Sequence, residues 1–118
     1  MDEVPVKPGP YHVPVLSISR FRVDPQAVPD FQARADRAVE FFAGCDGCLS
    51  ADLLRNLDEP GLWSIVTRWV NVGAYRRAFN GYDAKMVLIP LLSEAIDEPS
   101  AYAAPAEVGE NRPRGAIT

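Results

Sequence analysis

Two kinds of apolar spacing alternate along this chain, and their order leaves few folds open. Val15–Val23 (VLSISRFRV) alternates with a period of two. One parity holds Val15, Ser17, Ser19, Phe21 and Val23, and the other Leu16, Ile18, Arg20 and Arg22. The spacing then changes. Val28, Phe31, Ala35, Ala38, Val39 and Phe42 recur every three or four residues, with Asp30, Arg34, Arg37 and Glu40 away from that stripe. This predicts an amphipathic helix. Asp24-Pro25 reads as an N-cap before a proline at the first helical position. Pro29 would remove a hydrogen bond from a helix already running, which moves the regular helix start to about Pro29. Gly44 is expected to end it in a left-handed conformation.

The second half repeats the alternation. Cys48–Leu57 reads as a strand, Asp58-Glu59-Pro60-Gly61 as a turn, and Leu62–Val70 as a strand with Trp63, Ile65, Thr67 and Trp69 on one face. Asn71 is placed to cap a short helix through Phe79, and Asp83 a second one from Ala84 to Leu92, with Pro90 weakening its last turn. Pro99–Tyr102 reads as a short fourth strand. The order β-α-β-β-α-β predicts an α+β, ferredoxin-like split β-α-β antiparallel sheet with helices on one face. The other face keeps Leu16, Ile18 and Val66 in water, which favours a homodimer through the open sheet face. Four of eleven prolines fall in residues 1–14, so that stretch reads as an extended Pro-rich leader. The folded domain is expected over residues 15–104, and residues 105–118 as a flexible C-terminal tail.

Composition then removes whole classes of function. With 118 residues the chain holds one core, and 47% hydrophobic with 24% charged residues argues against global disorder. A net charge of −4 offers no footprint for nucleic acid or an anionic membrane. The longest strongly apolar run, Met86–Leu92, is far below the ~20 residues of a membrane span. The acidic start Met1-Asp2-Glu3 lacks a signal core, and two cysteines make no disulfide framework, so a cytoplasmic location is expected. With one histidine, His12, no two-histidine metal site can form from one chain, and no metal is expected. Cys45-Asp-Gly-Cys48 follows a helix C-terminus, the wrong polarity for an activated thiol, and reads as structural or incidental. Glu94, Asp97 and Glu98 read as a solvated acidic loop. Arg20, Arg22 and Arg68 fall toward the open face, where they read as pairing with carboxylates such as Asp52 across the interface or reaching solvent at a strand end, with anion binding as the alternative.

The run Gly44–Pro60 with its Gly-x-x-Gly turn, then Leu62-Trp-Ser-Ile-Val-Thr-Arg-Trp69, then Ala74-Tyr75-Arg-Arg-Ala-Phe79, and later Pro90–Tyr102, resembles the antibiotic biosynthesis monooxygenase (ABM) domain. The resemblance implies a dimeric α/β barrel with a pocket between helices and sheet in each subunit. It also implies a cofactor-independent monooxygenase acting on a small aromatic or polyketide-like substrate. Family members of that kind carry Asn-x3-Trp-x5-Tyr. Trp69 and Tyr75 match the last two positions, and Ile65 stands where the Asn would be. Haem-degrading relatives carry an Asn on strand one and a His on the second helical segment. Ser19 and an apolar residue near Leu88 stand at those places here, so no axial haem ligand is offered.

The resemblance assigns Trp69 and Tyr75 as catalytic, with the indole as a stacking wall and the phenol as a hydrogen-bond or proton partner. Ser19, Phe21, Ile65 and Thr67 are assigned to substrate binding, and no cofactor is implied. On spacing alone, Trp69 and Tyr75 serve equally as core aromatics sealing the strand–helix corner. Two serines on a helix-covered face favour a polar-lined cavity, although a bond to backbone would also satisfy them. A non-catalytic dimeric module binding a small hydrophobic or aromatic ligand, and an isomerase or cyclase on the same fold, stand as alternatives.

Overall fold

A computed structural model describes residues 15–108. β1 (Val15–Arg22) leads through a 3-10 turn (Pro25–Ala27) into α1 (Val28–Ala43), then β2 (Cys48–Arg55) and β3 (Leu62–Trp69). α2 (Val72–Arg77), α3 (Tyr82–Val87) and α4 (Ile89–Leu92) follow, then β4 (Ala101–Tyr102) and α5 (Pro105–Val108). The sheet is antiparallel with strand order β2-β3-β1-β4. This is the α+β, ferredoxin-like arrangement expected from the alternation of periods. The expected leader, residues 1–14, and residues 109–118 of the expected tail lie outside the described residues.

The helix-facing parity of β1 meets that of β3 residue for residue: Val15 opposite Trp69, Ser17 opposite Thr67, Ser19 opposite Ile65 and Phe21 opposite Trp63. α1 lies over this face. Phe31 packs against Phe21 at 5.1 Å and Trp63 at 5.6 Å, and Phe42 packs edge-on to Trp69 at 5.9 Å. Between them Ala35 and Ala38 are fully buried and let the helix approach closely. Eleven helical residues span about 16 Å, close to the ~20 Å that six strand residues cover, so both ends of one helix reach both ends of one strand pair.

Several boundaries differ from expectation, each for a local reason. Gly44 is right-handed (φ −88°), because its N–H still bonds to Glu40 and Phe41 carbonyls and continues the helix. The positive φ falls at Gly47 (+84°), inside the turn where the Cys48 N–H donates to the Cys45 carbonyl at 3.1 Å. Asp83 does not cap. Its helix starts earlier, after Gly81 at φ +93°, and Asp83 sits in the first turn. Pro90 has no N–H for the Met86 carbonyl, and the helix divides at Leu88 into α3 and α4. Pro105–Val108, read as tail, form one helical turn.

Glycine at position 47 is a requirement of packing as well as of backbone. A Cβ there would lie 2.5 Å from the Ala74 Cβ and 3.0 Å from Val70 Cγ2. Gly47→Ala is expected to destabilise the protein by roughly 2–4 kcal/mol, the sum of left-handed strain and a steric shift. A melting curve followed by circular dichroism checks this.

Candidate functional site

A cavity of about 370 Å³ opens between the sheet, the end of α1, α2 and the segment after α4, within the size range of small-molecule sites. Its floor is two cross-strand pairs, Ser17 with Thr67 and Ser19 with Ile65. Its aromatic wall is Phe42, Tyr75 and Phe79. The chain turns sharply from β3 into α2 because the Asn71 Oδ1 accepts the Ala74 N–H at 2.8 Å, the cap expected from the sequence. That turn sets Tyr75 beside the strand end. Phe79 stacks edge-on against Tyr75 at 5.1 Å and Phe42 at 6.0 Å.

The rim is the segment from Leu92 to Ser100. It is stitched to β1 by backbone bonds: Ile96 N–H donates to the Arg20 carbonyl at 2.8 Å, and Ile18 N–H to the Ser100 carbonyl at 2.7 Å. Arg20 grips Glu98 with two bonds, Nε at 2.7 Å and Nη2 at 2.8 Å. This pairing raises the guanidinium and holds the Glu98 carboxyl below its ordinary value. Arg34 holds Glu94 at 2.8 Å. Two of the three carboxylates read as solvated are thus paired, and Arg20 turns to Glu98 rather than to Asp52. Arg22 pairs with Glu59 at 3.0 Å.

Of the residues singled out from sequence, Ser19, Ile65, Thr67 and Tyr75 meet in this cavity. Phe21 does not. It is buried in the aromatic group at the other end of α1, beside a smaller hollow lined with Arg34 and Glu94. Trp69 does not line the cavity either. It is 0% exposed, edge-on to Tyr75 at 6.0 Å, and its Nε1–H donates to the Thr67 Oγ1 at 2.8 Å. An indole with no exposed surface offers no stacking face to a ligand. It works from behind, satisfying one lone pair of Thr67 and leaving that hydroxyl its own proton to donate.

Ser93 donates to the Pro90 carbonyl at 2.7 Å. The hydroxyls of Ser17, Ser19, Tyr75 and Ser100, which also line the cavity, have no partner among the described residues. Periodicity missed Phe42 and Phe79 as wall residues, although both belong to apolar stripes. It missed the rim entirely, because an irregular segment has no period to read. Leu88 is fully buried in the core. Cys45 and Cys48 are free and half-buried, donate to the Phe41 and Ser50 carbonyls at 3.4 Å, and burial pushes both thiols up. Among the described residues no helix is long and apolar enough to cross a membrane. Nor do three or more His, Cys, Asp or Glu among them gather into a metal-holding group.

The Trp69–Thr67 bond is testable by a double-mutant cycle. Thr67→Val leaves a buried indole N–H without an acceptor and is expected to cost about 1–3 kcal/mol. Adding Trp69→Phe to it should cost less than the two single losses combined, with a coupling near ~1 kcal/mol by denaturant titration.

A family model described as antibiotic biosynthesis monooxygenase matches residues 14–85. No curated protein matches the chain. Among solved structures it is similar to SnoaB, a cofactor-independent oxygenase from Streptomyces nogalater. The two are 25% identical over 78% of this chain and 93% of that one, with a TM-score of 0.66. A conserved protein from Methanosarcina mazei Go1 is 20% identical over 77% of this chain and 92% of that one, with a TM-score of 0.65. The Mycobacterium tuberculosis protein Rv0793 is 23% identical over 76% and 91%, with a TM-score of 0.61. The last two likenesses are of fold.

Proposed function

Because this chain belongs to the antibiotic biosynthesis monooxygenase family, we propose that its cavity takes a small oxygenated aromatic, polyketide-like molecule and lets it react with dioxygen without a cofactor. The observation that carries this reading is the cavity itself, with free hydroxyls on its floor and aromatic rings on its wall. The likeness to SnoaB supports the same reading. In this reaction a phenol conjugated to a methylene group loses a proton. The resulting carbanion forms a C–O bond with dioxygen, the peroxide anion takes back one proton in place of the one lost, and the hydroperoxide eliminates water. One oxygen atom becomes the new carbonyl, the other leaves as water, and the substrate supplies all the electrons.

The protein's part is binding, desolvation and charge stabilisation. Tyr75 donates to the phenolate oxygen and routes the proton. Thr67, Ser17 and Ser19 hold the other oxygen substituents, and Phe42 and Phe79 cover the ring. Ser19 faces Ile65 directly across the strands, so a hydroxyl stands next to the position that lacks the Asn amide. Ile65 itself favours a second reading, a binding module without turnover. Oxygen uptake with 1,8-dihydroxyanthrone decides between them. Uptake by the wild type that falls roughly tenfold or more in Tyr75→Phe, with melting temperature unchanged, supports oxygenation. Binding without uptake selects the module.

A second copy stacks on the open face. On that face Leu16, Ile18 and Val66 are half-buried, and Leu54 and Tyr102 beside them are 50% and 54% exposed. Light scattering is expected to give the mass of two chains, and Leu54→Asp, at an exposed strand position, the mass of one. A wild type that scatters as a single chain at micromolar concentration would count against this face as an interface.

A further inference from the structure

The rim lies beyond residue 85, where the family match ends, and its charges are distinctive. The described residues that line the cavity include no Lys, Arg or His. They include two carboxylates, Asp97 and Glu98. Glu98 is neutralised by the two-bond grip of Arg20. That grip also occupies the Arg20 guanidinium, and Arg34, the other cation tied to this segment, is held by Glu94 and Asp30. Asp97 is exposed and has no ion pair among the described residues. Among the described residues a ligand therefore meets one unpaired negative charge at the rim and neutral hydroxyls inside.

Neutral hydroxyls and a buried anion are a poor match. A carboxylate moved from water into this cavity loses its hydration and gains no cation among the described residues, which is costly even when hydroxyls donate to it. Phenol, ketone and ester oxygens lose less on desolvation and recover it from single neutral hydrogen bonds to Thr67, Ser17 or Ser19. We propose that this cavity discriminates by charge, accepting uncharged oxygenated aromatics and rejecting the corresponding carboxylic acids. The inference rests on the cavity being the ligand site.

Three matched probes test it by calorimetric titration at pH 7: 1,8-dihydroxyanthraquinone, its 3-carboxylic acid, and the methyl ester of that acid. The quinones are already oxidised, so binding is read apart from turnover, and the ester separates charge from size. The parent and the ester are expected to bind within about threefold of each other, and the acid at least about tenfold more weakly. Asp97→Asn should narrow the gap by about two- to threefold at low salt, an effect that fades as salt rises. Asp97→Lys should narrow it further. An acid that binds as tightly as its ester overturns charge discrimination and leaves the ligand site standing. Failure of all three probes to bind overturns both.

Discussion

The unbroken antiparallel pairing of β1 with β3 is the constraint from which the rest of the molecule follows. It sets eight residue pairs face to face, and the period of two sends alternate pairs to opposite sides. On the helix side the outer pairs, Val15 with Trp69 and Phe21 with Trp63, are large and apolar, and they meet Phe42 and Phe31 of α1. The inner pairs carry three hydroxyls and one isoleucine. A polar middle between two aromatic ends does not close as ordinary core: Trp69 serves the Thr67 oxygen, but the Ser17 and Ser19 hydroxyls have no partner among the described residues. The chain leaves a cavity there and bridges it with the segment after α4.

Trp69 shows how closely core and cavity are joined. The same ring packs on Phe42 and Tyr75 and donates to Thr67. It therefore supports three lining residues while itself standing behind the cavity wall. Rigid support of this kind is what a binding wall needs, since a hydroxyl free to wander loses entropy each time it binds.

The sequence made the strands, the long helix, the Asn71 cap and the sheet face of every floor residue legible, because each rests on local spacing or on one side chain's bond to its own backbone. Depth was not legible. Trp69 and Tyr75 carry similar signals, yet one is sealed and the other lines the cavity, and period gives the side of a strand but not the distance to the nearest void. Phe21 shares its parity with Ser19 and still belongs to another aromatic group, for the same reason. Gly44 and Gly47 could not be told apart either, since which glycine turns left-handed depends on where the helix bonds run out. The ion pairs of Glu94 and Glu98 join residues 60 and 78 positions apart, a reach no local pattern encodes.

The strict alternation along β1 and β3 separates two surfaces that share a backbone. Positions 17, 19, 65 and 67 look into the cavity, while 16, 64 and 66 look away from it, and of that outer parity in β1 Ile18 alone reaches the cavity edge. Substitution on one surface leaves most of the other untouched. A substitution at 17, 19, 65 or 67 can therefore change the cavity lining without renegotiating how most of the outer face packs.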